Sequence, residues 1–232
     1  MIQAVLFDFN GVVIDDEQLH MKAYQEALKA EDISLSEKDY HDSLGMDDVT
    51  SVRAAFARAG QELTDERMQA VIARESEMHR AAIDEVLPLF PGAVTFIKAL
   101  TRIYPLGIVS MSRRDQIDYV LGRAALTKAF DVVVSTEDAH TCKPDPCCYN
   151  RALELLNERR SGAHVPPLQA AECLVIEDSP PGIQAGRAAG MRTLGVTNTV
   201  GEKALRAAGA DVVTKSLADW TLDAVHHVFN KR

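Results

Sequence analysis

The sequence predicts an α/β fold, a doubly wound parallel sheet with an all-helical segment inserted after the first strand. Short apolar runs typical of buried parallel strands recur along the chain, and helical patterns separate most of them. Residues 16–86 contain no such run, and their apolar side chains recur at helical spacing. Residues 87–92, with two prolines and a glycine, end this segment. We therefore expect an α/β catalytic core of residues 1–15 and 88–232 and a helical cap of residues 16–87.

The first strand is predicted at residues 4–7, where the apolar run is continuous, as a strand covered on both faces requires. Further strands are predicted at residues 106–110, 131–134, 174–176, 193–196 and 211–213. Residues 159–167 are the one long stretch that we expect to be a loop. A helical segment inserted after the first strand would overhang the carboxyl end of that strand, where ligands collect in open α/β sheets.

Composition narrows the class of partner. A chain of 232 residues with 47% hydrophobic and 25% charged residues is ordinary for a soluble protein. The formal net charge of −9 argues against nucleic acid, because no broad basic field is available for phosphates. No basic leader and no run of membrane-spanning length are evident, so we expect no membrane partner. The four cysteines lack zinc-knuckle spacing and a chain this long does not need disulfides, which favours reduced thiols and a cytoplasmic location. We also expect a monomer.

The first predicted strand ends in Asp8, and Asn10 and Gly11 follow it. Alone, Asn-Gly after a strand is also the pattern of a simple turn. A second apolar strand ends in Glu177 and Asp178, and here Ser179 with Pro180 is typical of a helix start. Two strand-end carboxylates from neighbouring strands would supply the oxygen ligands that magnesium prefers, with water and substrate phosphate completing the shell.

Two further positions have the chemistry of a phosphate site. Lys143 precedes Pro144, which favours an extended conformation and so fixes the direction of the lysine. An isolated Lys-Pro is usually an exposed turn, but an ammonium aimed at a magnesium site would neutralise phosphoryl charge. Ser110 and Met111 end the second predicted strand, where the hydroxyl and the following backbone N–H groups could hold phosphate oxygens.

Along the chain these features are a strand-end Asp8, a helical insert, a strand-end Ser110, the Lys-Pro of residues 143–144 and a strand-end Glu177-Asp178. In that chain order they resemble the haloacid dehalogenase superfamily over nearly the whole chain. They look most like the β-phosphoglucomutases and related small phosphatases, which have a Rossmann-like core and a helical cap. The segments that carry the resemblance are residues 8–12, Ser110, residues 143–146, residues 176–179 and residues 182–183. The resemblance implies that Asp8 is the nucleophile and that Ser110 and Lys143 hold the phosphoryl group. It also implies that Asp8, the main-chain carbonyl of Asn10 and Asp178 bind Mg²⁺, with Glu177 supporting that set.

The sequence departs from this family at Asn10, where the phosphatases and mutases have an aspartate that acts as general acid and base. An amide does not titrate, so we expect a loss of activity of about 10²–10⁴-fold. Related members with other residues here cleave phosphonates or carbon–halogen bonds, but the dehalogenases do not use magnesium, and Asp178 argues against that class. An introduced substitution and deamidation to aspartate are further interpretations that the sequence leaves open.

The helical segment has a second departure. His20 and Arg74 match substrate-binding positions of the mutase cap by resemblance, although helix surfaces are rich in arginine. Asp47 and Asp48 stand where the mutases have an arginine for a distal phosphate, and they would repel a second phosphate. We therefore predict a slow, Mg²⁺-dependent phosphatase of a small phosphorylated metabolite, such as a sugar phosphomonoester. A β-phosphoglucomutase-like phosphotransferase and a catalytically silenced binder of phosphate ligands are the alternatives.

Overall fold

The computed structural model describes residues 1–229 and contains a six-stranded parallel sheet. The strands are β1 (Ala4–Phe7), β2 (Leu106–Val109), β3 (Val132–Val134), β4 (Cys173–Glu177), β5 (Arg192–Val196) and β6 (Val212–Thr214). Each lies within a residue or two of its predicted position, and the predicted doubly wound α/β fold is confirmed.

The strand order is β3-β2-β1-β4-β5-β6, so β1 lies in the middle of the sheet between β2 and β4. Phe7 pairs with Ile108 on one side and with Ile176 on the other. Strands β1, β2 and β4 are buried along their whole length, which accounts for their continuous apolar sequences. Because the three strands are parallel and in register, the residues that follow them emerge at the same edge of the sheet.

The chain divides into two compact units. The first comprises Met1–Asp15 and the chain from Leu89 onward, and the second is Asp16–Pro88. The predicted division was 1–15 with 88–232 for the core and 16–87 for the cap, so the second boundary differs by one residue. Helices of the first unit are α5 (Ala93–Leu100), α6 (Arg114–Arg123), α7 (Cys147–Gly162), α8 (Pro180–Ala188), α9 (Glu202–Ala207) and α10 (Leu222–Phe229). Helix α7 extends into the stretch predicted as a loop, and basic residues in its last turn favour that extension.

The regular secondary structure of the second unit consists of helices: α1 (Glu17–Lys29), α2 (Glu37–His41), α3 (Asp48–Ala59) and α4 (Asp65–Glu85). An apolar cluster that includes Leu28, Val52, Phe56 and Val71 holds these helices together. Among residues 1–229, no helix is long and apolar enough to cross a membrane.

Candidate active site

Asp8 and Asp178 lie at the ends of neighbouring strands. The N–H of Asp8 donates to the carbonyl of Ile176 at 2.9 Å, which continues the β1–β4 pairing past the end of β1. Both carboxylates are largely buried, at 9% and 2% residue exposure. Sheet pairing therefore brings together two acids that are separated by 170 positions in the sequence.

Lys143 supplies a positive charge beside the carboxylates at this edge of the sheet. Its Nζ donates to Asp8 Oδ1 at 2.8 Å, to Glu177 Oε1 at 2.6 Å and to the carbonyl of Val109 at 3.2 Å. Only 5% of the residue is exposed, so it is not an ordinary surface lysine in a turn. The Lys143–Pro144 peptide bond is cis. The three acceptors use all three protons of the ammonium group.

Besides Lys143, two hydroxyl groups donate hydrogen bonds to Glu177. The hydroxyl of Tyr149, in α7, donates to its Oε1 at 2.7 Å, and the hydroxyl of Ser179 donates to its Oε2 at 3.1 Å. A Cβ at Gly182 would overlap the Glu177 carboxyl group, so only glycine leaves room for it. Sequence reasoning missed Tyr149, because nothing in the local pattern of α7 distinguishes it from a core aromatic residue.

Burial and neighbouring charges shift the pKa values of this cluster. Burial, together with the charge of Glu177, raises the pKa of Asp8 to about 7 in spite of Lys143. Burial by itself would lower the pKa of Lys143, but the charges of Asp8 and Glu177 raise it well above its usual value. Lys143 is therefore a permanent cation, while the ionisation of Asp8 depends on how much positive charge surrounds it.

Asn10 faces the end of β2. Its Oδ1 accepts from the hydroxyl of Ser112 at 2.6 Å and from the hydroxyl of Ser110 at 3.4 Å. The hydroxyl of Ser110 in turn accepts from the N–H of Ser112 at 3.0 Å. Met111 packs its side chain into the apolar core, so a phosphate contact from this residue would be made by its backbone N–H. Ser112 was not predicted, and only its nearness to Ser110 in sequence could have suggested it.

Three carboxylates at this edge of the sheet could hold a metal ion. Asp8, Glu177 and Asp178 each offer an oxygen, and these oxygens lie within 4.8 Å of one another. Gly11 has a φ of 74°, and a Cβ there would overlap the Asp178 carboxyl group. This all-oxygen donor set fits Mg²⁺.

His20 lies in a buried cluster of the helical unit. Its Nδ1 is 2.7 Å from Glu75 Oε1 and its Nε2 is 3.4 Å from Asp16 Oδ2. His79 stacks on it with ring centroids 3.7 Å apart and has its Nε2 3.0 Å from Asp16 Oδ2. Burial lowers the pKa of His20, but the charges of Glu75 and Asp16 outweigh it and raise that pKa well above its usual value. The two neighbouring carboxylates therefore favour the imidazolium form of His20.

The remaining predicted residues of the helical unit have polar partners there. Arg74 forms an ion pair with Glu31 at 2.8 Å, and 45% of its side chain is exposed. Asp47 caps α3 by accepting from the N–H of Thr50 at 2.7 Å. The structure thus groups Asp8, Asn10, Ser110, Lys143, Glu177 and Asp178 within the first unit and places His20 and Arg74 in the second. The catalytic and binding roles of these residues are predictions.

The chain matches known proteins over most of its length. The family model described as haloacid dehalogenase-like hydrolase matches residues 2–190. The chain is 30% identical over 219 residues to the phosphorylated carbohydrates phosphatase of Thermotoga maritima, covering 92% of this chain and 94% of that relative. It is 28% identical over 231 residues to the β-phosphoglucomutase of Bacillus subtilis, covering 97% and 94%. The crystal structure of a β-phosphoglucomutase from Clostridium difficile superposes with a TM-score of 0.82 at 21% identity, over 99% of this chain and 98% of that one, and shows the same fold.

Proposed function

Because the chain belongs to the haloacid dehalogenase-like hydrolase family, we propose that it is a Mg²⁺-dependent phosphatase of a small organic phosphomonoester. Hydrolysis would proceed through a phosphoryl group carried on Asp8. Turnover would be slow, since Asn10 occupies the position from which an aspartate would move protons. The similarity to a phosphatase of phosphorylated carbohydrates supports a sugar phosphate as one class of substrate.

The buried bridge of Lys143 between Asp8 and Glu177 carries this proposal. A lysine with 3% side-chain exposure costs desolvation energy that a purely structural role would not need. Placed here, its ammonium reduces the repulsion between the Asp8 carboxylate and an incoming phosphate dianion. Glu177 accepts a hydrogen bond from that ammonium. Tyr149 and Ser179 donate to the Glu177 carboxylate and hold it in place.

Each proposed step assigns a task to a residue of this site. An oxygen of the Asp8 carboxylate forms a bond to phosphorus while the bond from phosphorus to the leaving oxygen breaks. Ser110 and the backbone N–H groups that follow it would hold the phosphoryl oxygens. Water then attacks phosphorus, and the bond to Asp8 breaks, which releases inorganic phosphate and restores the carboxylate.

Asp8, Asp178 and the main-chain carbonyl of Asn10 are the proposed ligands of Mg²⁺. The bound ion would neutralise phosphate charge and keep Asp8 ionised below its raised pKa of about 7. Glu177 is better suited to orienting Lys143, because its two oxygens already accept three hydrogen bonds.

The helical unit is the proposed cap, and His20 and Arg74 are its proposed substrate-binding residues. A mutase activity is the second candidate, and it is favoured by the similarity to the Bacillus subtilis β-phosphoglucomutase. Asp47 and Asp48 count against it, because by resemblance they stand at the sequence positions where the mutases have an arginine for a distal phosphate.

The direct test is phosphate release from a panel of small phosphomonoesters, with Mg²⁺ and with a chelator. The native protein, Asp8→Asn and Asn10→Asp would be compared, with mass spectrometry confirming residue 10 in each sample. We expect Mg²⁺-dependent release by the native protein, none by Asp8→Asn, and release about 10²–10⁴-fold faster by Asn10→Asp. Phosphate release that survives Asp8→Asn would contradict the assignment of Asp8 as the nucleophile. Equal rates for the native protein and Asn10→Asp would show that another group moves the proton.

A further inference from the structure

The loop that follows β5, residues 197–199, contacts the turn that follows β1, residues 9–14. Strand β5 pairs with β4, so this loop emerges at the same edge of the sheet as Asp178. The first N–H of the loop donates to the carbonyl of the last residue of β6 at 3.0 Å, which ties the loop to that strand. Nδ2 of Asn198, which is partly buried, donates to the carbonyl of Gly11 at 2.7 Å. A side chain of one strand-end loop therefore holds the backbone of another, 187 positions away in sequence.

The internal shape of the turn after β1 is set by its own hydrogen bonds. The carbonyl of Phe9 accepts from the N–H of Val13 at 2.8 Å, and the N–H of Gly11 donates to the carbonyl of Ile14 at 2.9 Å. These bonds close the turn on itself. The bond from Asn198 has a different effect, because it fixes where the closed turn lies relative to the loop after β5.

The backbone of Gly11 lies directly against the Asp178 carboxylate. A Cβ at Gly11 would be 1.9 Å from Asp178 Oδ2 and 2.9 Å from the hydroxyl oxygen of Thr199. Asp178 is buried, and the Gly11 backbone forms one wall of the space that its carboxylate occupies. A shift of the turn would therefore let this carboxylate move.

The position of the Asp178 carboxylate matters for binding a cation. Its oxygen lies within 4.8 Å of oxygens of Asp8 and Glu177. Mg²⁺ requires near-octahedral geometry with oxygens at about 2.0–2.1 Å, so a displaced carboxylate weakens its binding. Residues that hold metal ligands in place typically change metal affinity by about 10–100-fold when they are replaced.

We infer that Asn198 is a positioning residue of the Mg²⁺ site, because it holds the Gly11 backbone where that backbone confines the Asp178 carboxylate. The inference rests on the proposed function for the identity of the ion. Asn198 acts through Gly11 and is not itself a ligand. Its loss should therefore weaken Mg²⁺ binding and leave the rate at saturating Mg²⁺ nearly unchanged, because Lys143 and Ser110 keep their places.

The test is the dissociation constant of Mg²⁺, measured by isothermal titration calorimetry on the native protein, Asn198→Ala and Asn198→Leu. Leucine fills the space of the asparagine but has no donor. Asn157→Ala is the matched control, because the Asn157 amide in α7 also bonds to backbone, at 3.1 Å to the carbonyl and 2.7 Å from the N–H of Leu168. Urea midpoints, and phosphate release as a function of Mg²⁺ concentration, would be recorded for each protein.

We expect Mg²⁺ to bind about 10-fold more weakly to both Asn198 variants, the lower end of the range for such residues. Their rates of phosphate release should return to within about 2-fold of native at saturating Mg²⁺, because the other groups of the site are distant from the change. Asn157→Ala should lower the urea midpoint, since it removes two hydrogen bonds, and keep the Mg²⁺ dissociation constant within about 2-fold of native.

Three results would overturn the inference and leave the proposed function standing. They are native Mg²⁺ affinity in both Asn198 variants, an equal loss of affinity in Asn157→Ala, and native affinity in Asn198→Leu alone, which would show that volume and not the hydrogen bond matters. No binding of Mg²⁺ by the native protein would overturn both the inference and the Mg²⁺-dependent function.

Discussion

Lys143→Met removes the positive charge that holds the candidate active site together. The methionine keeps most of the length and the apolar stem of lysine, so the change is mainly one of charge and hydrogen bonding. Asp8 and Glu177 then remain as two buried carboxylates, with side-chain exposures of 13% and 0%, and without the ammonium that lies between them.

The expected loss follows from the burial of this ion pair. Removing one partner of a buried pair leaves an uncompensated charge and typically costs about 3–5 kcal/mol. Glu177 keeps its hydrogen bonds from Tyr149 and Ser179, and Asp8 can take up a proton, since its pKa is already raised to about 7. We therefore expect the free energy of unfolding to fall by about 3 kcal/mol, the lower end of that range.

The measurement is urea unfolding followed by the fluorescence of Trp220, the single tryptophan of the chain, which belongs to the same unit as Lys143. The double variant Lys143→Met/Glu177→Gln no longer buries the unpaired charge of Glu177. It should therefore recover about 1 kcal/mol or more relative to Lys143→Met. Lys128→Met, at an exposed lysine, is the control and should change stability by less than about 0.5 kcal/mol. A loss below about 1 kcal/mol for Lys143→Met, or no recovery in the double variant, would refute the charge argument.

Two further predictions concern Gly11 and His20. Gly11→Ala should lower the free energy of unfolding by about 1–2 kcal/mol and reduce Mg²⁺-dependent phosphate release, because its φ of 74° disfavours alanine and the new Cβ would displace the Asp178 carboxyl group. Gly122→Ala, which has open space in α6, is the control, and equal urea midpoints for the two variants would contradict this prediction. The raised pKa of His20 should make its stabilising contribution fully present below about pH 6.5 and lost as pH rises through the higher folded-state value. An NMR titration of the His20 imidazole measures that pKa. A midpoint at or below the ordinary histidine value would show that the charge of Glu75 does not govern the pKa of His20.

Several features of the fold could be predicted because they depend on neighbours in sequence. The continuous apolar runs identify β1, β2 and β4, and the Ser-Pro pair marks the start of α8, where Ser179 accepts from the N–H of Gly182 at 3.3 Å. The chemistry at Asp8, Asn10 and Lys143 could likewise be proposed from residue types at strand ends and before a proline.

The side chains that contact Glu177, Asn10 and His20 could not be predicted. Tyr149 reaches Glu177 from α7, 28 positions away, and Ser112 reaches Asn10 across 102 positions. The cluster around His20 depends in the same way on α4, which supplies Glu75 and His79. Such contacts follow from which elements pack together, and no local periodicity records that choice.

The sequence by itself determined the type and order of the elements. Helices and buried strands each require a local spacing of apolar residues, and that spacing can be read from neighbouring positions. It also determined the chemical groups available to the site, including the amide at Asn10. Only the tertiary structure decided that β1 lies between β2 and β4 and that the ammonium of Lys143 is buried between Asp8 and Glu177. The physical reason is that strand order and side-chain contacts are fixed by packing over long sequence separations, where the cost of burying each charge depends on which partner the fold places beside it.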